Sequence, residues 1–118
     1  MLKELLKKIN ESEYWDACVY SLDCNYFGDE VKLVFENGNR EEGTTTYFFE
    51  ECYTIKMKHF VDYDKDKPYK ELSKAQIPYY MQNVEVKEVI NDENQLLEFT
   101  INMFPMNLHI ICKKFSIL

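Results

Sequence analysis

From Trp15 to Ile117 apolar residues recur with a period of two, and that alternation constrains the chain more than any motif within it. Val31, Leu33 and Phe35 fall on one side of an extended segment, as do Leu97, Phe99, Ile101 and Met103, and again Leu108, Ile110 and Cys112. Successive side chains of a strand point to opposite faces, so each segment reads as a half-buried strand. Cys18, Tyr20, Leu22, Cys24 and Tyr26 share a parity in the same way, in a first strand opened by Trp15 and Asp16. Turn chemistry separates the segments: Gly28-Asp29, Asn37-Gly38-Asn39 and the stretch from Asn91 to Asn94, with Pro105 parting the last two strands. The run TTTYFFEECYTIKMKHF is dense in Thr, Tyr, Phe and Ile, which suit a pleated surface, and its length fits one bent strand or two short ones. Val84, Val86 and Val89-Ile90 mark another strand.

The opening MLKELLKKIN follows a different period. Leu2, Leu5, Leu6 and Ile9 stand at i, i+3, i+4 and i+7, which predicts an amphipathic helix too short to persist unless its leucine stripe lies on the sheet. One domain over 1–118 is expected: a helix over 1–12, a first strand group over 15–61, a polar loop over 62–76 and a second strand group over 77–118. Six or seven strands at hairpin spacing, with no helices between them, predict an α+β protein of mostly antiparallel β structure. The helix would pack on a meander forming a sandwich or open barrel.

Charge narrows the partners. The chain carries 21 acidic and 14 basic residues, net −7, which disfavours nucleic acid and anionic membranes as partners. The excess is concentrated in two regions. Glu36, Glu41, Glu42, Glu50 and Glu51 face Arg40 alone, and Glu85, Glu88, Asp92, Glu93 and Glu98 face Lys87 alone, net −4 in each case. Such regions serve as solvated hairpin faces or as docking surfaces for a basic partner. No run of about 20 apolar residues occurs, so a soluble, cytoplasmic protein is the expectation, with its four cysteines reduced.

Candidate chemistry is sparse. In CVYSLDC, Cys18 and Cys24 lie six residues apart on an extended strand, roughly 20 Å between Cα atoms, whereas a disulfide needs less than about 7 Å. Both therefore read as small core residues on an inner face. Asp62, Asp64 and Asp66 open a calcium-like D-x-D-x-D, but Lys67 stands where the loop needs Gly and Ser73 where it needs a bidentate Glu. His59 shares parity with Ile55 and Met57 and reads as half-buried, and His109 alternates with Leu108 and Ile110 and reads as exposed. Three glycines leave no room for a phosphate-cradling loop. No cofactor, no metal and no catalytic residue is expected. Most aromatic residues fit a core, while Tyr79 and Tyr80 in Ile77-Pro-Tyr-Tyr-Met81 suit a contact patch.

The succession of Trp15-Asp16, Val31-x-Leu33-x-Phe35, Glu51-Cys52-x-x-Ile55 and Leu108-x-Ile110-x-Cys112 resembles the small acidic cytoplasmic immunity proteins of bacterial polymorphic toxin systems. That resemblance implies a protein that binds and blocks a toxin without chemistry of its own. The function expected is a non-catalytic acidic interaction module, an immunity or inhibitor protein that occludes a basic toxin or enzyme. Glu41, Glu42, Glu50, Glu51, Asp62, Asp64, Asp66, Tyr79 and Tyr80 are its candidate contact residues. The alternative is a barrel-like domain binding a small molecule in an apolar cavity.

Overall fold

A computed structural model describes residues 2–37, 43–60, 71, 73, 78–91 and 93–118. Helix α1 (Leu2–Glu11) is followed by strands β1 (Val19–Asn25), β2 (Glu30–Glu36), β3 (Thr44–His59), β4 (Asn83–Asn91), β5 (Asn94–Met103) and β6 (Met106–Ile117). All neighbouring strands are antiparallel, in the order β1-β2-β3-β6-β5-β4. Two three-stranded meanders thus meet along a central β3–β6 seam. The α+β class, the helix on the sheet and six antiparallel strands agree with the alternation in the sequence. The run from Thr44 to His59 is one strand, and the polar loop expected over 62–76 falls outside the described residues apart from Glu71 and Ser73.

The sheet is not closed. β1 and β4 are its edges, and the residues leading into them pair with each other instead. Cys18 bridges Tyr80, Val19 N–H donates to Tyr79 O at 2.9 Å, and Asp16 and Met81 N–H groups donate to Met81 and Ala17 carbonyls at 2.8 Å. Trp15 and Asp16 therefore form a turn and not the start of a strand, which begins only at Val19.

Two bulges set which side chains reach the core. In β1, Val19 pairs with Phe35 but Ser21 pairs with Val34, so Tyr20 is an extra residue and the inward parity shifts from odd to even positions beyond it. The single-parity reading of Cys18 through Tyr26 fails at Cys18 and Tyr20 for this reason. Val19 is buried, Leu22 packs against the core, Cys18 is half-buried and Cys24 is exposed. In β3, Tyr53 is the extra residue, and Glu51 takes a positive φ of 54° just before it.

The core forms on the concave face. Phe35, Tyr47, Phe49 and Phe99 are fully buried, each side chain worth about 1.5–3 kcal/mol on burial. Phe49 of β3 meets Phe99 of β5 at 5.0 Å edge to face, and both lean on Phe115 of β6 at 5.1 and 4.7 Å. Rings from β3 and β5 can meet across β6 only over a curved sheet. Helix α1 adds Ile9, buried, and Leu5, half-buried. Its end is tied down by the Tyr47 hydroxyl, 2.7 Å from Ser12 Oγ. Ser12 spends its one proton on Ile9 O, so Tyr47 is the donor of that pair.

Candidate functional site

Alternation places Val31, Leu33, Tyr47 and Phe49 in the core and turns Glu30, Lys32, Phe48 and Glu50 to the opposite face. Strand pairing then aligns Asn25, Glu30, Glu50 and Lys114 in a row across β1, β2, β3 and β6. Glu30 and Glu50 are direct cross-strand neighbours of like charge, an arrangement that destabilises a sheet. The adjacent row holds Asp23, Lys32, Phe48 and Ser116, where the Lys32 ammonium lies 5.3 Å from the Phe48 ring. Glu51 Oε2 has Lys114 Nζ at 3.5 Å and, shielded from solvent, accepts no hydrogen bond among the described residues. One lysine thus faces three glutamates at this point of the sheet.

Glu50 and Glu51 are the candidate acids that the structure describes. Glu41, Glu42, Asp62, Asp64 and Asp66 lie outside the described residues. Since β3 runs extended from Thr44, Glu50 stands roughly 20 Å along the strand from the hairpin end that leads to Glu42. Of the described acids in the stretch from Glu36 to Glu51, Glu36 ends β2 opposite Thr44, while Glu50 and Glu51 stand midway along β3. Tyr80 is exposed, whereas Tyr79 belongs to the core and its hydroxyl lies 2.9 Å from His59 Nε2.

The second acidic region is partly neutralised within the fold. Glu98 on β5 receives Lys87 Nζ at 3.0 Å and His109 Nε2 at 2.8 Å, from β4 and β6. These two hydrogen bonds, His109 first, hold the Glu98 carboxyl below the usual carboxylate range. The two histidines exchange the exposures expected of them. His109 is half-buried beside Glu98 on the outward face, and His59 is exposed because β3 runs past the packed part of the concave face.

All four cysteines are free thiols. Cys52 and Cys112 face each other across the β3–β6 seam. Their hydrogen bond lowers the Cys52 pKa and, together with burial, raises that of Cys112. Phe35, Tyr47, Phe49 and Phe99 fill the concave face, where the alternative reading would place a ligand cavity. A cleft of about 730 Å³ lies elsewhere, between α1 and the sheet, lined by Leu2, Leu5, Leu96, Phe115 and Ile117 with Lys8 and Lys113 at its rim.

One feature escaped the sequence reading. Tyr26 and Phe27 form the tip of the β1–β2 hairpin and stand in solvent, although Tyr26 shares parity with the presumed inner face. Two bulky aromatics immediately before Gly28-Asp29, at a turn where small polar residues are the rule, were the available signal.

Comparison with known proteins places this geometry in context. The crystal structure of an uncharacterized protein from Neisseria gonorrhoeae superposes with a TM-score of 0.58 at 16% identity, covering 88% of this chain and 91% of that one. At that identity the likeness concerns the fold alone. No curated protein matches the chain in sequence. The family model described as Immunity protein PIM7 matches residues 1–118.

Proposed function

This chain belongs to the immunity protein PIM7 family, and from that membership we propose that it neutralises a toxin by binding and occluding it, acting in the cytoplasm and without catalysis. The proposed contact surface is the acidic stripe formed by Glu30 of β2 with Glu50 and Glu51 of β3. The observation that carries this reading is the direct opposition of Glu30 and Glu50, with Glu51 beside them and Lys114 as their only paired cation among the described residues. Opposed like charges cost a free sheet stability, and a cationic partner would offset that cost in the complex. We extend the surface by sequence to Glu41, Glu42, Asp62, Asp64 and Asp66, and at its margin to Tyr80, with Tyr79 supporting it from the core.

The test uses the toxin identified by pull-down and toxicity rescue among the products of neighbouring genes. The triple variant Glu30→Gln, Glu50→Gln, Glu51→Gln is expected to associate about tenfold more slowly at low salt and to lose most of the salt dependence of association. An unchanged association rate and salt dependence would show that the stripe is merely a solvated face.

A further inference from the structure

Beyond the stripe, the structure holds an element whose chemistry the fold itself does not use. Tyr26 is 73% exposed and Phe27 113%, so the Phe27 ring touches almost nothing in the molecule. Their backbone is unfavourable as well: φ is 53° at Tyr26, 59° at Phe27 and 92° at Gly28. Only Gly28 suits the left-handed region, and left-handed aromatic residues are strained. The tip is nonetheless held firmly. Asp29 N–H donates to Tyr26 O at 3.1 Å, and Cys52 N–H donates to Asp29 O at 3.0 Å. Gly28 lies so close to β3 that a Cβ there would come within 3.2 Å of Ile55 Cδ1.

We propose that this tip is the anchor with which the protein enters a cleft of its basic protein partner, Phe27 filling an apolar recess and the surrounding acids meeting a cationic rim. The proposal rests on the binding reading above and specifies where the contact is centred. Charge argues for that occupant: residues 23–30 contain Asp23, Asp29 and Glu30 and no base, and Glu50 adjoins Glu30 on the next strand. Desolvated aromatic anchors ringed by polar contacts carry most of the energy of protein interfaces, and a rigid anchor loses little freedom on binding. The Cys52–Asp29 and Asp29–Tyr26 hydrogen bonds supply that rigidity.

The experiment compares the full-length protein with Phe27→Ala, Phe27→Gly and the triple glutamate variant, measuring association and dissociation against that toxin over a range of salt. Phe27→Ala is expected to weaken binding about 30-fold or more through faster dissociation, leaving the salt dependence intact. Phe27→Gly should bind as weakly while melting no lower than the parent, which separates lost contact from lost folding. Wild-type affinity in Phe27→Ala, alongside a weakened triple variant, would overturn the anchor and leave the charged stripe standing. If the parent protein fails to bind the toxin, both readings fall. Should Phe27 instead drive self-association, with a dimer in sedimentation that Phe27→Ala abolishes and toxin affinity unaltered, the assigned occupant is wrong.

Discussion

At Phe27 the demands of the backbone and of the solvent are both refused, which makes it the residue whose replacement is most informative about the free protein. Glycine there relieves about 1–2 kcal/mol of left-handed strain and returns about 0.5–1 kcal/mol through its looser unfolded state, so Phe27→Gly should gain about 0.5–1 kcal/mol in urea unfolding. Glu98 predicts a pH effect of defined sign. Its folded pKa lies below the unfolded value, so its contribution is present above the ordinary carboxylate pKa of about 4.3 and disappears as pH falls through the lower folded value. Glu98→Gln should therefore be less stable than the parent at pH 7, and the gap should close in acid unfolding series; a gap that persisted at low pH would remove the carboxylate as its cause. Single residues were the hardest scale to read from sequence. Parity located His109 opposite Leu108 and Ile110 but could not see that Glu98, from the neighbouring strand β5, would pair with it.

Among elements, the strands of the second meander were legible nearly to their ends, because Leu97 through Met103 and Leu108 through Cys112 alternate without interruption. β1 was not, since the extra residue at Tyr20 inverts the pattern midway and the sequence marks no such bulge. The two cysteines of CVYSLDC part accordingly: Cys18 precedes the bulge, where Val19 fills the core position, whereas Cys24 keeps the inward parity opposite Val31 but is exposed near the end of the edge strand. The helix was legible as a leucine stripe, while its attachment depends on Ser12, three residues past Ile9. Burial pushes the Tyr47 hydroxyl up to about 12. Ser12→Ala leaves that buried hydroxyl without its acceptor and should cost about 1–3 kcal/mol in chemical unfolding, whereas adding Tyr47→Phe to it should recover part of the loss. A double variant as unstable as the two single losses summed would mean that the two hydroxyls act independently.

For the whole molecule, two meanders joined along β3 and β6 present an outward face on which the acids of β2 and β3 sit beside a rigid aromatic tip, while the concave face is given over to packing. The acidic stripe was legible in part, since Glu50 and Glu51 are adjacent in sequence. Glu30 joins them only through the β2–β3 register, and the exposure of Phe27 depends on a left-handed turn that composition does not encode. Membership of an immunity family fits a fold whose chemistry lies in its surface. The central claim is that this surface works by occupancy. The direct measurement titrates the protein into its toxin and follows toxin activity: inhibition should rise linearly to completion at one equivalent and reverse when the complex is separated, with the toxin's mass unchanged. Complete inactivation by a small fraction of an equivalent, or a toxin that stays inactive or altered in mass after separation, would contradict it and show an enzyme in place of a shield.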